Sequence, residues 1–129
     1  MKNAYHLGIN LGHDRSVAIV ADGEIKAAIQ QERLDRSKHS LGYLNQFMGD
    51  NTKIQLPWES IHYCLNELGI DFDQLTSITA NMPGTDYSED ILKNALPQNT
   101  VEKIRVIPSH HLSHAYSAFW PSGFEESLV

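Results

Sequence analysis

Three of the chain's seven histidines fall within five positions, at His110, His111 and His114. Imidazole supplies a neutral nitrogen ligand near neutral pH, so an H-x-x-x-H pair suits zinc, iron, manganese or a similar divalent metal. On a helix, His110 and His114 project from one face with Cβ atoms ~5–6 Å apart, close enough for two rings to converge on one cation. His111 lies about 100° round from His110 and off that face. Pro108 and Ser109 read as the start of this helix, with Ser109 as its N-cap. A catalytic metal takes about three protein ligands and keeps an open position. No His or Cys follows His114, so the remaining ligands must come from elsewhere. The alternative is that His110 and His114 only cap and pack a helix running into the core.

Two further stretches carry polar groups. Gly12-His13-Asp14-Arg15-Ser16 is a glycine-led polar turn whose backbone and side-chain donors can approach a phosphate or a substrate oxygen, or which serves only as a turn. Gln31-Glu32-Arg33-Leu34-Asp35-Arg36-Ser37-Lys38-His39 is of mixed charge and reads, taken alone, as a solvated loop.

The elements that must position these residues are legible from pattern. Residues 5–11 and 16–21 are short apolar runs read as strands. Asp22-Gly23 is a strong hairpin signal, because a type I′ turn needs positive φ at both central residues, and 24–30 then forms the third strand of an antiparallel meander. Residues 40–56 show no clean period and are expected to be a mobile or substrate-covering loop with one helical turn. From Pro57 the spacing of Ile61, Cys64, Leu65 and Leu68 predicts an amphipathic helix stopped by Gly69, with Cys64 a small core residue. A strand over 75–81, a helix over 88–96 capped by Ser88, and a strand over 103–107 follow. The histidine helix comes next, broken by Pro121 and Gly123, and 125–129 resembles the start of a further strand. The expected class is therefore α/β, a mixed sheet in one domain with helices on its faces and the strands at 75–81 and 103–107 parallel to the first.

Composition bounds the rest. The 129 residues are 41% hydrophobic and 20% charged, which suits a single globular domain. A formal charge of -6 gives no electrostatic footprint for nucleic acid. One cysteine excludes a disulfide framework and fits a reducing compartment, so a cytoplasmic location is expected, and no stretch reads as a signal peptide or membrane span.

Taken together, Gly8-Ile9-Asn10 through His13-Asp14 and Ser16, the Asp22-Gly23-Glu24 hairpin, Gln31-Glu32-Arg33 through Lys38-His39, and His110-His111-Leu112-Ser113-His114-Ala115 resemble one family. It is the carbamoyltransferases of the nodulation and antibiotic-tailoring type. Ala118-Phe119 and Pro121-Ser122 through Phe124-Glu125-Glu126 extend the likeness. The resemblance implies an actin-like, RNase H-like ATPase fold, of which this chain would be the N-terminal part. It also implies that a separate domain makes carbamoyl-adenylate from carbamoyl phosphate and ATP. The domain resembling this one would pass the carbamoyl group to a hydroxyl on a small-molecule acceptor, using a metal held by His110, His114 and aspartates later in the chain. Arg15 stands where the family has a small residue.

On that reading His13 is the candidate base for the attacking hydroxyl and Asp14 orients it. Arg33 and Lys38 are candidates for phosphate or carbonyl contacts, with Glu32 holding Arg33. The chain alone is expected to be inactive and, with a sheet edge and apolar surface uncovered, to self-associate. Two other classes stay open: a nucleotide-binding ATPase or kinase half of the same fold, with phosphate contacts at Gly12 to Ser16 and no metal, and a noncatalytic interaction module in which the histidines are packing.

Overall fold

A computed structural model describes residues 4–12, 14–40, 56–81, 89–107 and 110–126, with residues 90, 91 and 110 described by backbone alone. Alternating side chains build the first strands: β1 (Tyr5–Asn10) buries Leu7 and Ile9, and β2 (Ser16–Ala21) buries Val17, Ile19 and Ala21. Asp22 and Gly23 take φ of 55° and 76°, both positive as a type I′ hairpin requires, and turn the chain into β3 (Glu24–Gln30). The expected antiparallel meander is present, with β2 pairing β1 on one side and β3 on the other.

After β3 a single helical turn, α1 (Glu32–Asp35), leads into residues 36–40. The expected loop over 40–56 lies, apart from its two end residues, outside the described residues. Helix α2 (Trp58–Leu68) follows the predicted periodicity, burying Ile61, Cys64 and Leu65 against β2 and β3. It ends at Gly69, whose left-handed backbone (φ 63°) lets its N–H reach the carbonyls of Leu65 and Asn66.

A short 3-10 turn at Phe72–Gln74 carries a capping box between Asp71 and Gln74 and leads into β4 (Leu75–Asn81), as expected. Helix α3 (Glu89–Ala95) ends one residue earlier than the pattern suggests, and the predicted cap Ser88 lies outside the described residues. A 3-10 segment, Gln98–Lys103, closed by the Thr100 hydroxyl bonded to the Pro97 carbonyl, takes up Lys103, so β5 is Ile104–Ile107. Helix α4 (His110–Ser122) runs one residue past Pro121 and stops at Gly123, which is left-handed; the glycine, not the proline, ends it.

The sheet order is β3-β2-β1-β4-β5, with β4 parallel to β1 and β5 parallel to β4. The core lies on one face, where strand residues meet α2 together with Leu92 and Leu96 from and just beyond α3. The chain is thus α/β with a mixed sheet, and no helix among the described residues is long and apolar enough to cross a membrane.

Candidate functional site at the shared end of the strands

Four of the five strands run the same way. Their registers align the last residues of β1, β3, β4 and β5 and the first of β2 in one row: Gln30, Ser16, Asn10, Asn81, Ile107. Among the described residues, those that leave this row are 11, 12, 14 and 15 after β1 and 31–40 after β3, with α4 following β5. Of the candidate site residues, Asp14, Glu32, Arg33, Lys38 and His114 are in these segments. Open α/β sheets bind ligands beyond the carboxyl ends of their parallel strands, because those are the ends from which unpaired loops emerge.

The two asparagines of the row shape the first turn. Asn10 donates from Nδ2 to the Asp14 carbonyl at 3.0 Å and accepts the Gly12 N–H on Oδ1 at 3.3 Å. Asn81 Oδ1 accepts the Leu11 N–H at 3.2 Å. His13, the candidate base, lies outside the described residues. Asp14, expected to orient it, places Oδ1 2.9 Å from Nδ1 of His39.

The charged stretch is not a freely solvated loop. Gln31 and Ser40 are buried at its two ends, and the guanidinium of Arg15, only 7% exposed, fills the space between. Arg15 Nε donates to the Ser40 carbonyl at 2.9 Å, and Nη2 donates to Ser40 Oγ at 2.8 Å and to Asp35 Oδ2 at 3.4 Å. Ser40 Oγ donates to the same carboxylate. Burial raises the Asp35 pKa, but the bonds from Ser40 and the Ser37 N–H, with the charge of Arg15, outweigh it and leave the carboxyl below its ordinary value. Burial likewise lowers Arg15, against the opposing pull of Asp35 and Glu59.

Glu32 does not hold Arg33; its Oε2 accepts the His39 backbone N–H at 3.0 Å. Arg33 and Lys38 are exposed and in no ion pair among the described residues. Backbone strain concentrates at this junction. Of five non-glycine residues with positive φ among those described, Asp14, Arg36, His39 and Ser40 are here, each conformation costing about 1 kcal/mol or more. Main-chain bonds join Asp14 N–H to the His39 carbonyl, Arg15 N–H to the Ser40 carbonyl and Arg36 N–H to the Glu32 carbonyl.

On the sheet face opposite the core, a cleft of about 490 Å³ opens beside the row. Its floor includes Gly8, Ala18 and Ala28, its wall Asn10, Ser16, Gln30, Thr79 and Asn81, and α4 reaches it through Ser113. The Ser113 hydroxyl is buried and has no hydrogen-bond partner among the described residues. A buried hydroxyl left in that state retains bonding capacity for a water or a ligand.

His110 and His114 do occupy one helix, a turn apart, which is the backbone arrangement that a ligand pair needs. His111 and His114 are exposed, and the side chain of His110 lies outside the described residues. Among the described residues no three His, Cys, Asp or Glu side chains converge as a metal site would require. His39, Asn10, Asn81 and Ser113 were not selected from the sequence as site residues. The signal available for His39 was its place beside Lys38 in the charged stretch, while the asparagines are recognisable only once the strand register is known.

No protein-family model matches the chain. It is 31% identical to Nodulation protein NolNO of Sinorhizobium fredii over 99% of its own length and 20% of that protein's. An uncharacterized protein of Synechocystis sp. is 29% identical over 91% of the chain and 23% of its own length. Another, from Methanocaldococcus jannaschii, is 31% identical over 95% of the chain and 21% of its own. The chain spans about a fifth of the length of these curated relatives. Across nearly all its residues the chain is thus a relative of Nodulation protein NolNO, and its resemblance to the nodulation-type carbamoyltransferase family is borne out by that similarity.

Proposed function

We propose that the chain forms part of the transfer site of a metal-assisted carbamoyltransferase with an actin-like domain, in which a carbamoyl group passes from carbamoyl-adenylate to a hydroxyl of a small-molecule acceptor. The adenylate would be made from carbamoyl phosphate and ATP by sequence that the relatives carry outside the matched fifth. The observation that supports this most is the common strand end, from which the His13-Asp14 turn, the Glu32 to His39 segment and the histidine helix all depart.

In this reading His110 and His114 would hold a divalent metal of the iron, manganese or zinc class, which would supply Lewis acidity toward the carbamoyl carbonyl. His13 takes the hydroxyl proton as the oxygen bonds to the carbamoyl carbon, and the bond from that carbon to the phosphate oxygen breaks, its electron pair leaving with the nucleotide. Arg33 and Lys38 offer exposed positive charge to the phosphate. Asn10 and Asn81 keep the base's turn in place. We place the proposed reaction in the cytoplasm, since a single cysteine suits a reducing compartment, and assign it no nucleic-acid partner, since the chain's charge of -6 offers none.

The test is transfer itself. The full-length protein, given radiolabelled carbamoyl phosphate, ATP and a panel of hydroxylated small molecules, should place label in a neutral carbamate ester. Cleavage of ATP with label entering none of them would favour a nucleotide-binding ATPase instead.

A further inference from the structure

Resting on that reading, we propose that the cleft on the sheet face opposite the core is the acceptor's subsite, and that it takes an uncharged small molecule bearing several hydroxyls. Its volume of about 490 Å³ is that of a small-molecule site.

The floor is set by strand register. Leu7 and Ile9 are buried in the core, so Gly8 between them faces the cleft. Gly8 pairs with Ala18 on one side and Thr79 on the other, and Ala18 pairs with Ala28. Across β3, β2 and β1, therefore, nothing larger than a methyl group stands on this row. With neighbouring strands ~4.8 Å apart, the row from Ala28 to Thr79 spans about 14 Å. The fold itself does not call for glycine at position 8. Its φ is not positive, and a Cβ added there would meet, among the described residues, only the Ala18 carbonyl oxygen, at an ordinary 3.8 Å. A glycine inside a strand gives up packing and backbone order worth roughly 0.5–1 kcal/mol, and it marks a place where something approaches the sheet closely.

The groups around that floor select the occupant. Among the described residues no charged side chain lines the cleft. Arg105, the register partner of Thr79 on β5, turns its guanidinium to the carbonyls of Glu102 and Ile104. A phosphate or an ammonium would lose its hydration there without a countercharge. What the cleft offers instead are neutral groups that both donate and accept, the Gln30 amide and the hydroxyls of Ser16 and Thr79. None of these three side chains is engaged in a hydrogen bond among the described residues. The Ser113 hydroxyl, buried and likewise unpartnered, adds a fourth from α4. They stand on three strands and a helix around the floor, so a matching ligand carries hydroxyls around its perimeter and not at one edge only. No aromatic side chain lines the cleft among the described residues, so it offers no ring for a base to stack on.

Three cyclitols of one ring size test this: myo-inositol, its 1-phosphate and an aminocyclitol, which are neutral, anionic and cationic. In NMR titrations of the 129-residue chain, myo-inositol should shift the amides of Gly8, Ala18 and Ala28 and the Gln30 side-chain amide. Both charged analogues should bind at least fivefold more weakly. Gly8→Val, which fills the floor, and Gln30→Met, which removes one polar group, should each weaken myo-inositol binding, the first at least tenfold, with the core resonances unmoved. In the full-length protein, Gly8→Val should raise KM for the hydroxylated molecule that wild type carbamoylates at least tenfold, with KM for carbamoyl phosphate within twofold. Absence of shifts at these residues, equal binding of the charged analogues, or undiminished binding by folded Gly8→Val would each overturn the proposal. Should the wild type transfer no carbamoyl group, the transfer reading fails, and the titrations still decide whether the cleft takes a neutral polyol.

Discussion

Arg15 is the residue on which the strand-end junction depends most. Its guanidinium is nearly buried between Ser40 and Asp35, so Arg15→Ala would empty that space and leave the partly buried Asp35 carboxylate without its cation, with only the Ser40 and Ser37 donors remaining. The expected loss is about 3 kcal/mol of stability by urea denaturation, with Arg15→Lys recovering only part because an ammonium on a flexible stem does not reproduce the separated Nε and Nη2 donors of the planar guanidinium. Asp35 gives the same junction a pH dependence. Its folded pKa lies below the unfolded value, so its contribution is fully present above about pH 5 and is lost as pH falls through the folded value. Stability measured from pH 6 to 3 should fall less steeply in Asp35→Asn than in the wild type. Cys64 tests the core. Burial, with the Glu67 charge, raises its thiol to about 11, so at pH 8 only about a thousandth is thiolate. A thiol reagent should react slowly with the native chain and rapidly in urea. None of the Arg15 contacts could be read from sequence, because its partners are 20 and 25 residues away; its departure from the family pattern was visible, but not its purpose.

Local elements were the legible part of the fold. The Asp22-Gly23 turn, the α2 stripe ending at Gly69 and β4 each follow from residues within one element, and each was found where the pattern placed it. Boundaries set by tertiary context were not. Gln98–Lys103 forms a 3-10 segment because Thr100 and Lys103 find carbonyls at Pro97 and Asp73, the latter contact spanning 30 residues. The seam between β3 and α2 is another such case. Buried Gln31 donates to Glu59 at 2.6 Å and accepts from the Ser60 N–H and hydroxyl at 3.1 and 2.6 Å, joining the end of the meander to the first turn of the helix. Gln31→Leu should therefore cost about 2–3 kcal/mol, since it strands buried polar partners, while Ser60→Ala, which keeps the backbone bond, should cost about 1 kcal/mol.

For the whole molecule, the two faces of the sheet differ. One is covered by α2 and α3, while the other bears the cleft and α4, on which Tyr116 and Trp120 are exposed, with Phe124 just beyond. Such a surface favours association, and sedimentation should show the 129-residue chain self-associating at high concentration, with Trp120→Ser weakening it. In the proposed function the strand-end row delivers a metal-binding histidine pair to a transfer site. Metal content and carbamoyl transfer, measured on His110→Ala, His111→Ala and His114→Ala in the full-length protein, test it most directly. His110→Ala and His114→Ala should each lose most metal and most transfer while carbamoyl-adenylate formation continues, and His111→Ala should keep both. Unchanged metal in all three, or loss in His111→Ala alone, would contradict it.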